Sequence, residues 1–256
     1  MIRKTLSMGA FAAAVTAALA AGDASAQQAV TLTLDPSSGD ASIGGATNRL
    51  LIGVDALGSS DSAQSDFSGT VETLLNISYD GSQLPTTTGL ELVSGNLSAT
   101  DVSLSLLGGF LTVDLTGLGA SVDTPTPPGA VAGTLFDTQD HEVIVNQGNI
   151  SAAGNNIDLS SSPVTGTTTG SGTLVVTLNN ITNDIATYDV ALTLPVDFDD
   201  SFDVDNPLGA GTIPVGVDVG GGDIVANGQF TRVIPEPTSA ALLGLGGLLI
   251  ARRRLR

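Results

Sequence analysis

Five aspartates stand close together after a long run of alternating apolar residues: Asp197, Asp199, Asp200, Asp203 and Asp205. Carboxylate oxygens at this density suit Ca²⁺, which takes about six to eight oxygen ligands. The spacing departs from the EF-hand loop, because it has no glycine at the sixth position and no glutamate at the twelfth. Two interpretations stay open. The aspartates bind calcium, or they form a solvated loop whose charges prevent strand pairing.

His141 is the only histidine, and Asp140 and Glu142 stand beside it. A Ser-His-Asp triad would have to use this residue. However, nothing resembles the Gly-x-Ser-x-Gly elbow, and sequence neighbours on a strand point to opposite faces. A site of several histidines is excluded by the count, and thiolate sites are excluded because the chain has no cysteine. We expect His141 to be a surface residue at the entrance of a strand, and we expect no cofactor other than the calcium considered above.

Carboxylates are plentiful enough for the acid pair of a glycoside hydrolase. That reaction also needs a cleft, which usually has aromatic platforms for the sugar. The chain has no tryptophan and two tyrosines. We therefore predict that the protein is not an enzyme, and keep a secreted hydrolase as the weaker alternative.

The N-terminal end, residues 1–26, has the three parts of a secretory signal peptide in order. Arg3 and Lys4 form the positive start, and residues 9–21 form an alanine-rich apolar core. Ala24 and Ala26 flank Ser25 in the small-x-small pattern that signal peptidase cuts, which would leave Gln27 first. The sequence thus predicts a signal helix and export across the inner membrane.

The C-terminal end, residues 234–256, is also tripartite. Pro235, Glu236 and Pro237 precede an uncharged stretch, residues 238–251. Four arginines then close the chain: Arg252, Arg253, Arg254 and Arg256. As a helix the uncharged stretch would be about 21 Å long, short for a hydrocarbon core of about 30 Å. Its position before an arginine cluster favours a short transmembrane helix whose basic end stays cytoplasmic.

This tail resembles the PEP-CTERM sorting signal of Gram-negative bacteria. Pro235, Glu236 and Pro237 match the motif, and Arg252 to Arg254 match its basic end. The resemblance implies handling by exosortase, a membrane protease or transpeptidase that cuts near the motif. It also implies an association with biofilm and exopolysaccharide. It covers only the tail, and a permanent single-helix anchor remains the alternative to cleavage.

The exported part, residues 27–233, is strongly acidic. It holds 24 acidic side chains against two basic ones, Arg49 and Arg232, so its formal net charge is −22. Phosphate binding needs clustered lysine and arginine, so the composition excludes nucleic acid as a partner.

Alternation with a period of two dominates residues 27–233. It is clearest in residues 30–34, 102–106, 111–115, 174–178, 188–198 and 213–219. Such alternation buries one face of each strand and exposes the other, as in antiparallel sheets. Glycine and asparagine pairs recur between the runs and predict turns, among them Asn179-Asn180 and Gly220-Gly221-Gly222. We therefore predict an all-β fold, either an antiparallel β-sandwich or a meandering β-barrel.

One domain is expected over residues 27–233, with two stretches that could divide it. Residues 123–129 hold three prolines and cannot form a central strand. Residues 160–172 consist almost entirely of serine, threonine and glycine and are expected to form a flexible loop. The expected function is that of an exported, non-catalytic surface or extracellular-matrix protein. The alternative is a module that binds carbohydrate or a small apolar ligand, with or without calcium.

Overall fold

The computed structural model describes residues 26–166, 170–205 and 210–234. The predicted all-β class is confirmed: these residues form one large, almost entirely antiparallel sheet and no α-helix. Its strands are β1 Ala26–Leu34, β2 Ala46–Thr47, β3 Arg49–Ala56, β4 Ser59–Tyr79, β5 Pro85–Ala99, β6 Val102–Leu106, β7 Leu111–Asp123, β8 Gly129–Ala132, β9 Leu135–Asp137, β10 Glu142–Ala152, β11 Asn155–Asp158, β12 Val164–Gly166, β13 Ser171–Thr182, β14 Ile185–Asp205 and β15 Thr212–Val233. Short 3₁₀ turns occupy Ala41–Ile43, Leu107–Gly109 and Thr138–Asp140.

The alternation read from the sequence becomes the two faces of the sheet. In β6, for example, Val102, Leu104 and Leu106 are buried, and the two serines between them are exposed. Branched and aliphatic side chains from most strands meet in one continuous apolar cluster. Burial of these faces stabilises the fold by about 25 cal/mol for each Å² of apolar surface removed from water.

Two long strands, β4 and β15, organise the sheet. Along one edge β4 pairs with β3 through residues 59–66 and with β1 through residues 70–77. Along its own edge β15 pairs with the same two strands, with β3 through residues 216–220 and with β1 through residues 226–227. β3 and β1 therefore follow one another between the same two neighbours.

Asn48 fills the junction where β1 ends and β3 begins. Its side-chain amide donates to the carbonyls of Asp35 (2.8 Å) and Val225 (2.7 Å), and its Oδ1 accepts from the Val225 amide (2.9 Å). Its backbone amide donates to the Asp223 carbonyl, and its carbonyl accepts from the Phe67 amide. One fully buried side chain thus replaces the ladder hydrogen bonds that the interrupted strands cannot make.

On the β1 side of this junction the strand pairing returns to its starting point. It runs from β1 through β4, β5, β8, β9, β13, β14 and β15, and β15 pairs with β1 again. The short hairpin of β8 and β9 joins β5 to β13 in this path. On the β3 side, β7 pairs with β6 along one edge and with β10 along the other. β10 also pairs with β11 and β12.

Two predicted turns are wrong, because both lie inside strands. Residues 220–222 belong to β15, where the backbone passes so close to β3 that a Cβ on Gly222 would collide with the Arg49 carbonyl. Asn179 and Asn180 belong to β13, where the register with β14 shifts, and the chain turns at Asn183 and Asp184 instead. The glycines here allow two strands to approach closely, and the asparagines lie at a β-bulge.

The two stretches that could divide the chain have different structures. Residues 124–128 connect β7 to β8, as expected for a proline-rich segment. Part of the expected flexible loop is instead the strand β12, which pairs with β10 through residues 164–166. The single-domain interpretation stays a prediction.

Candidate functional sites

Most residues of the predicted sorting and processing signals lie outside the described residues. These are Ala24, Pro235, Glu236, Pro237, Arg252, Arg253, Arg254 and Arg256. Ala26 is the first residue of β1, where its backbone stands opposite Ile77. At the other end β15 finishes at Val233, and Ile234 is the last described residue before Pro235. The proline motif therefore begins directly where the sheet ends.

The two described chain ends lie at the same end of the molecule. β1 begins beside the end of β4, since Ala26 stands opposite Ile77. β15 ends beside the start of β14, since Val233 stands opposite Ile185. The rings of Tyr79 and Tyr188, near these two strand ends, are 5.3 Å apart. We call this end, with the turn at residues 80–84 and the turn at residues 183–184, the chain-end face.

Side-chain hydrogen bonds hold the turn at residues 80–84 in place at the chain-end face. The Tyr188 hydroxyl donates to the Gln83 carbonyl (3.0 Å), and Arg232 Nη1 donates to Gln83 Oε1 (2.7 Å). The Arg232 guanidinium also lies 4.0 Å from the centre of the Tyr79 ring, a cation–π contact. Tyr188 in turn stacks on Phe230. Both tyrosines and Arg232, one of the two basic side chains in residues 27–233, thus hold this turn in place.

The five predicted calcium ligands lie along the second half of β14. Residues 196–205 of this strand pair with β15, and no other strand among the described residues pairs with them. Asp199, Asp203 and Asp205 lie on the same side of the strand, and Asp199 stands opposite Asp218 of β15. Alternate residues on a strand are about 7 Å apart, but calcium ligands lie about 2.5 Å from the ion.

No group of three acidic or histidine side chains among the described residues is arranged to hold a metal ion. Asp197 and Asp200 complete the acidic segment without changing this result. Calcium binding by these residues stays a prediction, which a melting shift on addition of CaCl₂ would test. The other interpretation, a solvated loop, is wrong because these residues belong to the strand β14. The acidic side chains instead line the part of that strand which pairs with β15 alone among the described strands.

His141 lies at the entrance of β10, as predicted, but the predicted surface location is wrong because only 2% of the residue is exposed. Its ring forms a T-shaped contact with that of Phe136, with the ring centres 5.0 Å apart, and a Cβ on Gly129 would stand 3.1 Å from its Cε1. Burial lowers the pKa of His141, and the nearby Asp140 and Asp137 only partly oppose that effect.

The buried hydrogen bonds of His141 join two separate parts of the sheet. Its Nδ1 lies 2.8 Å from Thr124 Oγ1, which also accepts from the Leu92 amide at 2.7 Å. The hydroxyl can donate to Nδ1 while it accepts from Leu92, an arrangement that leaves the ring proton on Nε2. In the described part of the chain Nε2 has no hydrogen-bond partner. Thr124 thus ties the β7–β8 connection to β5, and the neutral imidazole of His141 bonds to that threonine from the start of β10.

An apolar cavity of about 70 Å³ lies on the β3 side of the junction. Its lining includes Leu50 and Ile52 of β3, Leu115 of β7, Val143 of β10 and Val219 of β15. All the lining residues are apolar. Pockets for drug-sized ligands measure about 300–1,000 Å³, so this space admits only a very small apolar molecule.

The sequence interpretation missed the buried polar centre at Asn48, and it missed the burial of His141. Asn48 carried no signal, because its partners are backbone groups up to 177 residues away. The sequence placed His141 at the entrance of a strand, but no pattern around it predicted that the side chain is buried.

The chain matches no family model, and no curated protein or solved structure is similar to it. Within residues 26–166, 170–205 and 210–234, no helix has the length and hydropathy needed to cross a membrane.

Proposed function

We propose that this is an exported, non-catalytic protein of the cell surface or extracellular matrix, sorted through its C-terminal tail. In this proposal residues 1–26 direct export and are removed by signal peptidase. Residues 238–251 pause the chain in the inner membrane, and the terminal arginines stay in the cytoplasm. An exosortase-type enzyme reads Pro235, Glu236 and Pro237, and releases the acidic domain to a matrix that contains exopolysaccharide.

The observation that carries the proposal is the position of the motif relative to the folded domain. β15 ends at Val233, and only Ile234 separates it from Pro235. Two prolines restrict the following backbone to extended conformations and remove two hydrogen-bond donors. A membrane enzyme could therefore reach the motif without unfolding the sheet.

Of the two architectures that the sequence left open, we propose the barrel for the β1 side of the molecule. The return of the strand pairing from β15 to β1 supports it, because closure removes the unpaired edges that an open sheet exposes. A closed and filled barrel suits a structural role outside the cell, where resistance to strand exchange matters more than an open cleft.

The alternative, a module that binds carbohydrate or a small ligand, has less support. The apolar cavity is much smaller than an ordinary ligand pocket, and both tyrosines are buried rather than offered as platforms for a sugar. A secreted hydrolase stays the weakest of the three functional hypotheses.

Replacement of Glu236 tests the sorting proposal. The Glu236→Gln variant keeps both prolines, the apolar stretch and the arginines, and removes one charge from the motif. We expect it to accumulate in the membrane fraction with residues 252–256 still attached, as detected by mass spectrometry of C-terminal peptides. Glu72→Gln, the same change at an exposed site on β4, is the control and should be processed normally. Equal processing of Glu236→Gln and the natural protein would refute recognition of the motif.

A further inference from the structure

The chain-end face carries an unusual concentration of exposed aliphatic side chains. Val233 is 71% exposed, Leu84 53%, Ile181 48% and Ile185 42%. They come from three different places: the end of β15, the turn at residues 80–84, and the hairpin of β13 and β14. Single exposed aliphatic residues are common, but four at one end of a domain mark an interaction surface.

Strand register and side-chain contacts bring these residues together. Ile185 stands opposite Val233, so these two side chains share the outer face of the sheet. Ile181 stands opposite Ala186, whose side chain is buried, so Ile181 lies on the other face at the same end of the hairpin. Leu84 follows Gln83, which Arg232 and Tyr188 hold at this end. The face is therefore fixed by hydrogen bonds and a cation–π contact, and does not depend on a freely moving loop.

The length of chain beyond Ile234 indicates what this face meets. Three residues, Pro235 to Pro237, separate Ile234 from the apolar stretch that begins at Thr238. Even fully extended, four residue steps span at most about 14 Å. If residues 238–251 enter a bilayer, the chain-end face must lie within that distance of the point of entry.

The charges at the face suit a neutral lipid surface rather than an anionic one. Arg232, one of two basic residues in the exported part, lies here, together with Asp80 and Asp184. The rest of the domain is strongly acidic and would be repelled by anionic lipids.

We propose that the chain-end face rests on the bilayer while the tail is in the membrane, with Leu84, Ile181, Ile185 and Val233 in the interfacial layer. This inference rests on the membrane insertion of the tail proposed above. Aliphatic side chains in the interfacial layer increase the membrane affinity of a protein with a short apolar anchor, because membrane affinity grows with buried apolar area. The contact would orient the domain over its own processing site.

Fluorescence quenching by lipid tests this contact in the full chain. The chain has no cysteine, so Ser82→Cys places one thiol on the turn of the chain-end face. Ser60→Cys places one near the start of β4, at the opposite end of the strand that finishes at Tyr79. Each variant is labelled with the same thiol-reactive fluorophore and reconstituted into phosphatidylcholine vesicles with or without brominated acyl chains. We expect brominated lipid to reduce the Ser82 signal about twofold, as for a probe in the interfacial layer, and to leave the Ser60 signal unchanged.

A second pair of variants tests the named side chains. Ile181→Thr combined with Ile185→Thr, in the Ser82→Cys chain, should abolish most of the quenching. Ile43→Thr makes the same type of change at an isoleucine that is 84% exposed in the Ala41–Ile43 turn, and should not alter it.

The outcomes separate the two proposals. Quenching at Ser82 alone supports the contact. A chain that co-sediments with the vesicles but shows no quenching at Ser82 overturns the contact and leaves the tail proposal intact. A chain that does not co-sediment overturns the insertion of the tail and the contact with it. Energy transfer between labels at Ser82 of two molecules would show that a second copy covers this face, which also overturns the contact.

Discussion

At the scale of single residues, His141 is a titratable side chain in an environment unlike its ordinary one, because it is almost completely buried. It is buried against Phe136 and Gly129, and its Nε2 has no partner among the described residues. Thr124 links the ring to the Leu92 amide, so the imidazole supports the connection between β7 and β8. A charge on this ring would be placed in a buried site where the Nε2 proton has no acceptor among the described residues.

We expect acid to destabilise the protein through His141. Its pKa is lowered in the folded state by burial, whereas the unfolded chain has a pKa of about 6.5. The unfolded state therefore binds the proton more readily. The stabilisation is fully present above pH of about 6.5 and is lost as pH falls through the lower pKa of the folded state. Urea unfolding over this range should show the loss. Because His141 is the only histidine, its ring signal in NMR should titrate below the ordinary value.

The variant His141→Gln separates this effect from the titration of carboxylates at lower pH. It should be less stable than the natural protein at neutral pH by about 1–3 kcal/mol, the usual cost of disturbing a buried hydrogen bond. Its stability should change less between neutral and mildly acidic pH. An NMR midpoint at or above the ordinary value, with equal pH dependence in both proteins, would contradict this account.

Sequence reasoning reached the position of His141 but not its burial. The residue directly precedes the strand β10, at the strand entrance where the sequence placed it. Its cover comes from Thr124, Gly129 and Phe136, which belong to a proline-rich connection and a four-residue and a three-residue strand. Such short elements have no periodicity of their own, so tertiary packing alone determines that the histidine is inside.

At the scale of strands, the second half of β14 is an edge protected by charge. Residues 196–205 pair with β15 alone among the described strands. Their backbone groups on the other side would accept a strand from a second molecule if the edge were neutral. The aspartates that sequence analysis singled out as calcium candidates lie along this edge.

Removal of that charge should promote self-association. We expect the triple variant Asp199→Asn, Asp203→Asn and Asp205→Asn to sediment as larger species than the natural protein at the same concentration. Analytical ultracentrifugation measures this directly. The matched control is Glu72→Gln with Glu91→Gln and Glu142→Gln, which changes the net charge equally on other strands. If both triple variants associate to the same extent, net charge rather than edge protection is responsible.

Long alternating strands were the most predictable elements. The run from Tyr188 to Phe198 is contained in β14, and the alternation of serine with valine and leucine at residues 102–106 coincides with β6. Glycine was the least predictable residue. Gly220 to Gly222 have the composition of a turn, yet they let β15 pass close to the Arg49 carbonyl and to the turn at Ala41. Glycine permits a turn and a close approach equally well, and sequence alone does not distinguish them.

At the scale of the whole molecule, the sheet is divided into two parts by the junction at Asn48. On the β1 side, aromatic rings and the fastened turn at residues 80–84 fill the interior up to the chain-end face. On the β3 side, aliphatic side chains from several strands leave the cavity of about 70 Å³. Composition gives a reason: with aromatics at 4% of the chain, few large side chains are available to fill a wide interior.

Filling this cavity should stabilise the protein. At about 24 cal/mol for each Å³, an empty volume of 70 Å³ corresponds to a loss of about 2 kcal/mol. Val143→Ile and Val219→Ile each add one methylene to a buried lining residue and keep the branched Cβ that suits a strand. We expect each to raise the free energy of unfolding by about 0.5–1 kcal/mol, measured by urea denaturation.

The control for these variants is Val93→Ile, which makes the same change on β5 at a side chain that is 45% exposed. Its stability should stay within about 0.5 kcal/mol of the natural protein. If both lining variants lose more than about 1 kcal/mol instead, the interior is overpacked at these positions and holds no usable space. The same result would weaken the small-ligand alternative further, because a space that rejects one methylene cannot admit a ligand.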